Sequence, residues 1–129
     1  MAVIHHLKEF IKDMELAYSA ADIIVSRAGA IAISELAVAQ KPVLLVPFPF
    51  AAEDHQTKNA MALVNRGAAL LVKDSDAKVQ LIHTALELLN NKTQQVTLTN
   101  NISTMAFHNS ANVIALEVLK LANYKVSDE

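Results

Sequence analysis

Ile23-Ile24-Val25-Ser26-Arg27-Ala28-Gly29-Ala30-Ile31-Ala32-Ile33-Ser34-Glu35-Leu36 reads as a strand, a tight turn and the start of a helix in one run. The apolar β-branched residues at 23–25 suit a buried strand. The turn holds one of only two glycines in the chain. A helix that starts in such a turn leaves its first backbone N–H groups without partners, and its dipole favours an anion there. Glu35 then lies about six residues inside the helix, roughly 8–9 Å from the tip at 1.5 Å per residue. That spacing suits a phosphate at the tip and a ribose diol at the carboxylate. A glycine at a strand–helix turn also occurs where the chain merely bends. The run is not G-x-G-x-x-G, so taken alone it leaves both readings open.

Working outward, two more short apolar runs are bounded by breakers. Val43-Leu44-Leu45-Val46 lies between Pro42 and Pro47, and Ala69-Leu70-Leu71-Val72 follows Gly67. With 22–26, apolar at Ile23-Ile24-Val25, they give three strands with apolar centres, the pattern of a parallel sheet buried on both faces. The run 2–6 is a candidate fourth strand. Spacing predicts helices over 11–20, 30–39, 55–66, 76–89, 93–106 and 110–123. Gly67 is placed at a helix C-terminus in the left-handed region. Ser75 is placed as the N-cap of 76–89, with Val79, Ile82, Leu86 and Leu89 on its inner face. The fold class is therefore α/β: a Rossmann-like three-layer arrangement, with a partial parallel sheet of three or four strands flanked by helices. No earlier βα unit precedes it, so 1–129 is read as one domain that is the C-terminal part of a larger one.

Composition narrows the function. The 129 residues are 53% apolar, which leaves surface to bury against another domain. Net charge is −2 without a Lys/Arg block, which argues against nucleic acid. There is no cysteine, so thiol and disulfide chemistry are excluded. No run approaches the 18 or so apolar residues of a membrane span. His5, His6, His83 and His108 read as surface or packing residues. No histidine or carboxylate cluster has metal-ligand spacing, and no cofactor is expected.

The second polar cluster follows the second strand: Pro47-Phe48-Pro49-Phe50-Ala51-Ala52-Glu53-Asp54-His55-Gln56-Thr57-Lys58-Asn59. Loops at the carboxyl ends of parallel strands bind ligands in α/β folds. His55, Gln56 and Asn59 fall on the first turn of the next helix. Amide side chains both donate and accept, as sugar hydroxyls require. Asp54 equally suits a plain N-cap, and the cluster by itself fits a solvated helix start as well as a sugar site.

Phe10-Ile11-x-Asp13-Met14, Ala17-Tyr18-x-Ala20-Ala21-Asp22, Ser26-Arg27-Ala28-Gly29-Ala30, Ser34-Glu35-Leu36, Lys41-Pro42, Val46-Pro47-Phe48 and Glu53-Asp54-His55-Gln56-x-x-Asn59-Ala60 together resemble the MurG family. These GT-B enzymes of glycosyltransferase family 28 move N-acetylglucosamine from its UDP donor to lipid I, giving lipid II for peptidoglycan. The resemblance runs over about residues 8–73. It implies a site in which Ile11 holds the uracil through its backbone beside Met14. Ala28, Gly29, Ala30 and Ile31 form the diphosphate turn, and Glu35 takes the ribose hydroxyls. His55 and Gln56 face the sugar, and Asn59 belongs to the same signature. It implies no metal, and an inverting displacement.

The sequence also departs from the family pattern. Ala28 stands where many relatives carry Ser, Ala32 where many carry Thr, and His55 where some carry Gln. The acceptor domain with its general base, and the glycine-rich loop that opens the donor domain, are not among these residues. No catalytic residue is therefore assigned, and the chain alone is expected to be soluble, inactive and prone to self-association. The resemblance implies lipid I as a partner of the missing domain. It also implies peripheral attachment of the complete enzyme to the cytoplasmic side of the bacterial inner membrane. Two other readings of the same residues are the donor half of a split UDP-sugar transferase and a non-catalytic UDP-sugar-binding module.

Overall fold

A computed structural model of the chain describes residue 8 and residues 12–105. The candidate strand at 2–6, the helix at 110–123 and Ile11 lie outside the described residues. The elements are helix α1 (Met14–Ala20), strand β1 (Ile24–Ser26), helix α2 (Ala30–Ala39) and strand β2 (Val43–Leu45). After these come helix α3 (His55–Val64), strand β3 (Leu70–Leu71), helix α4 (Ala77–Leu89) and helix α5 (Lys92–Met105). Single 3₁₀ turns, Ala52–Asp54 and Asp74–Asp76, lead into α3 and α4.

The three strands are parallel, in the order β1-β2-β3. Val25 pairs with Leu44 and Leu45 with Leu71. The ladder continues past the strand ends, where Val46 N–H donates to Ser26 O and Val72 N–H to Leu45 O, each at 2.9 Å. All three residues of β2 are buried. Its pleat sends alternate side chains to opposite faces. Val43 and Leu45 meet Leu36 of α2, Ala60 and Leu63 of α3, and Ile102 and Met105 of α5. Leu44 and Val46 meet Val72, with Ala77, Leu81 and Ala85 of α4 against them. The result is helix, sheet, helix: a Rossmann-like three-layer fold. Both crossover helices, α2 and α3, lie on one face, as two connections of the same hand require.

α4 differs from the sequence expectation. Its inner face is Ala77, Leu81, Ala85 and Leu88, while Val79, Ile82 and Leu86 are 83%, 69% and 53% exposed, with Leu89 at the margin. This helix is apolar on more than one side, so periodicity allows two inward faces. The alanines allow closer approach to the sheet than Val79 and Ile82 would. Ser75 is not the N-cap either. It lies inside the 3₁₀ turn, and Asp76 is the cap residue, without a side-chain hydrogen bond to the helix.

Gly67 is left-handed as expected, with φ 68°. A β-carbon there would come within 2.9 Å of Asn101 Nδ2, the atom that donates to Gly67 O at 2.9 Å. Gly67 thus ends the α3 segment and docks α5 at once. Gly67→Ala is expected to destabilise the fold by roughly 1–2 kcal/mol, from the left-handed backbone plus the displaced Asn101. Urea unfolding measures it, and an unchanged midpoint would show that α5 does not depend on this contact.

Candidate functional site

The loops at the carboxyl edge of the sheet converge on the start of α2. Gly29 is its N-cap residue, in extended conformation (φ −66°, ψ 155°), and makes no side-chain cap. The first backbone bond into the helix runs from Ile33 N–H to Gly29 O at 2.9 Å. The N–H groups of Ala30, Ile31 and Ala32 therefore have no intrahelical acceptor. The other helices differ at this end. Asp13 Oδ1 accepts from Leu16 N–H and Asn91 Oδ1 from Gln94 N–H, both at 3.0 Å. Asp54 and Asp76 stand at the cap positions of α3 and α4, where they make no side-chain hydrogen bond to the helix but place a carboxylate at its tip. Among the described residues, α2 alone begins without an acidic or amide side chain at its tip. Its partial positive charge is left open to an anion.

Gly29 is not demanded by the backbone, because its φ is negative. A β-carbon there would meet only Gln56 Nε2, at an ordinary 3.8 Å. Any need for glycine at this position therefore comes from what approaches the turn.

Gln56 holds the turn. Its Oε1 accepts from Ala28 N–H at 3.1 Å and from Phe48 N–H at 2.9 Å. Two backbone donors identify this atom as the oxygen, so the amide nitrogen faces Gly29. Asn59, one turn on, donates from Nδ2 to Ala28 O at 3.0 Å. Ala28 is fully buried and both its backbone groups are engaged. Ala28 N–H is therefore not free for an incoming anion, in contrast to the sequence expectation, whereas Gly29, Ala30 and Ile31 remain. Ile31 stands 77% exposed at the tip.

Arg27 crosses the same edge. Its Nη1 donates to Asp74 Oδ1 at 2.6 Å and to Val46 O at 3.3 Å, and its guanidinium lies over the Phe48 ring. One side chain thus straps the ends of all three strands. The ion pair is half exposed and is worth at most about 1 kcal/mol. Its effect is to fix loop geometry. Sequence reading gave Arg27 no role, since a lone arginine in a turn has no local signature.

His55 is placed apart from this cluster. It is exposed, and its Nε2 lies 3.5 Å from Glu53 Oε2. Glu53 and Asp54 are both left-handed, with φ 53° and 56°. An N-cap needs extended backbone, so Asp54 does not cap α3 with its side chain.

The second part of the site lies between α1 and α2. A cleft of about 590 Å³ is lined by Met14, Tyr18, Ser34, Glu35 and Val38, among others. Met14 and Glu35, expected together, both line it. Tyr18 Oη donates to Glu35 Oε2 at 2.8 Å. Burial, then this hydrogen bond and the negative charge behind it, push the Tyr18 phenol up from 10.0 to about 12. The bond joins residues 17 apart, so neither residue signals it alone.

The sequence model of the glycosyltransferase family 28 C-terminal domain matches residues 3–114. The chain belongs to the glycosyltransferase family 28 C-terminal domain family. It is 57% identical over 118 residues to the UDP-N-acetylglucosamine–N-acetylmuramyl-(pentapeptide) pyrophosphoryl-undecaprenol N-acetylglucosamine transferase of Phocaeicola vulgatus, covering 92% of this chain and 31% of the relative. The enzyme of the same name from Bacteroides fragilis is 55% identical over 114 residues, 88% of this chain and 30% of the relative. The crystal structure of Acinetobacter baumannii MurG superposes with a TM-score of 0.72 at 34% identity, over 86% of this chain and 34% of that one. The chain spans about a third of the length of the curated relatives it matches. As a family 28 domain, its fold is the Rossmann-like C-terminal domain of a GT-B glycosyltransferase. Among the described residues no helix is long and apolar enough to cross a membrane.

Two outcomes test this geometry. Gln56→Ala strands the buried Ala28 N–H and is expected to cost about 1–3 kcal/mol in denaturant unfolding, while Gln56→Glu, which keeps the acceptor, stays near the unaltered protein. Equal losses in both would show that Oε1 is not the latch. The raised Tyr18 phenol favours the neutral form in the folded state. Its contribution to stability is complete below pH 10 and is lost as the pH climbs from 10 towards 12, because the unfolded chain releases its proton first. A tyrosinate absorbance titration should show a late step that Tyr18→Phe removes.

Proposed function

We propose that this chain is the donor-binding part of a UDP-N-acetylglucosamine transferase that glycosylates lipid I to give lipid II. The observation that carries the reading is the arrangement on α2. An uncapped N-terminus and a cleft-lining carboxylate, Glu35, stand about 9 Å apart on one helix, the separation of a diphosphate and the ribose next to it. The relatives' names supply the sugar and the acceptor.

In this reading the N–H groups of Gly29, Ala30 and Ile31 receive the diphosphate, and Gln56 Nε2 reaches towards it or the sugar. Glu35 accepts from the ribose hydroxyls, and Met14 packs near the uracil, which Ile11 binds through its backbone. Asn59 acts by holding Ala28, and His55 lies towards the sugar side. The acceptor hydroxyl, deprotonated by a base outside this chain, attacks the anomeric carbon and inverts it. UDP leaves with its growing charge stabilised at the α2 N-terminus. Residues 1–129 then form one unit of a two-domain enzyme that works at the cytoplasmic face of the inner membrane, and no metal takes part.

The test is UDP binding to the chain, followed by NMR. Gly29→Val is expected to abolish binding with little loss of stability, since the backbone admits valine there but the ligand cannot then approach. Glu35→Ala is expected to weaken UDP by about tenfold, as the loss of a charge-assisted hydrogen bond of roughly 1.5–3 kcal/mol requires. Gln56→Glu, which keeps the fold, places a carboxylate beside the phosphate site and should weaken UDP further. Normal UDP binding by Gly29→Val would put the phosphate site elsewhere.

A further inference from the structure

Glu35 is an exposed residue on the outer surface of α2, yet one of its oxygens is already held. The holder is well placed to do it. The Tyr18 ring packs on the main core cluster, so its hydroxyl is carried by a fixed body rather than by a mobile side chain. Tyr18 Oη donates to Oε2, and Oε1 makes no hydrogen bond among the described residues. An unheld glutamate must order its side-chain torsions when a ligand arrives, and that ordering subtracts from affinity. Here the Tyr18 hydrogen bond supplies part of that ordering beforehand. Glu35 lines the cleft between α1 and α2 together with Met14, Ser34 and Val38.

Resting on the ribose reading above, we infer that Tyr18 is a positioning residue for the nucleotide sugar. Its hydroxyl aims the Glu35 carboxylate, and the aimed pair selects ribonucleotides over 2′-deoxyribonucleotides. The physical reason is one of partners. A ribose supplies two donors to a carboxylate held in one orientation. A 2′-deoxyribose supplies one, so the held carboxylate forgoes one charge-assisted hydrogen bond. If the carboxylate could rotate freely, it would turn back to water and the penalty would shrink. Tyr18 thus converts a general anion–hydroxyl contact into discrimination at the 2′ position.

NMR titration of the chain with UDP and with 2′-deoxy-UDP at millimolar concentration tests this. The unaltered chain should prefer UDP. Tyr18→Phe keeps the packed ring and should weaken UDP by about three- to tenfold, with little change for 2′-deoxy-UDP, so that the preference falls towards one. Tyr18→Phe added to Glu35→Ala should cause no further loss. Unchanged UDP binding in Tyr18→Phe would overturn the inference, and so would an equal loss for both nucleotides, which is what a merely structural role predicts. Should Tyr18→Phe fail to fold, Glu35→Asp reads the same quantity, because it withdraws the carboxylate from Tyr18 and leaves the ring in place. A full ribose preference in Glu35→Asp would also overturn the inference. Failure of the unaltered chain to bind UDP, or normal UDP binding by Glu35→Ala, would instead remove the ribose reading itself, and this inference with it.

Discussion

Everything in this fold is arranged around β2, a strand buried on both faces. Val43 and Leu45 need a cover on one side and Leu44 and Val46 on the other. Each such side chain contributes about 1.5–3 kcal/mol when buried, so neither face can be left open. Three elements close the first face, α2, α3 and α5, and α4 closes the second. The parallel pairing with β1 and β3 then leaves all three strand ends at one edge, and the loops that leave them must share that edge. The site is a consequence of this crowding.

Crowded loops need internal acceptors, and Gln56 supplies one. A single amide oxygen accepts from the turn after β1 and from the loop after β2. Asn59 takes up the carbonyl of the same turn, and Arg27 extends the tie to Asp74 beyond β3. These polar side chains are spent on the protein's own backbone. That is why Ala28, with no side-chain polar group of its own, can be wholly buried in the middle of a polar loop. It is also why the free N–H groups are displaced one residue on, to Gly29 and the first turn of α2. The tip of α2 stays uncapped while its flanks are rigid, the condition under which a helix N-terminus binds an anion without first having to be ordered.

The two ends of the candidate site are held by different means. At the α2 tip the framework is hydrogen bonds between loops. At Glu35 it is a phenol carried by α1, whose neighbours Ala21 and Ile33 pack on the same cluster as the Tyr18 ring. The raised phenol of Tyr18 belongs to this arrangement: partial burial and the adjacent carboxylate both oppose a second negative charge. The outer stripe of α4, Val79, Ile82 and Leu86, is an exposed apolar feature that neither core cluster uses.

Local sequence determined a good deal here. Short apolar runs bounded by breakers mark buried strands, and all three described strands fall inside the runs so marked, although only β2 is buried throughout and Val25 of β1 is exposed. Helices α2 to α5 lie within about two residues of their expected bounds, because periodicity and breakers act over a few residues. Gly67 and the open tip of α2 were legible for the same reason, and the spacing from that tip to Glu35 is set by rise along one helix. What the sequence by itself left undecided was every choice between faces and every contact between distant residues. The apolar residues of α4 allow two inward sides, and only the sheet beneath it, closely packed against Ala77 and Ala85, selects one. Gln56 and Asn59 carry the same amide groups whether they face a ligand or the backbone, and only the approach of the two loops turns them inward. Tyr18 meets Glu35 across 17 residues because α1 and α2 pack side by side. Spacing along a chain cannot encode that meeting, since it depends on where two separate helices come to rest on a common core.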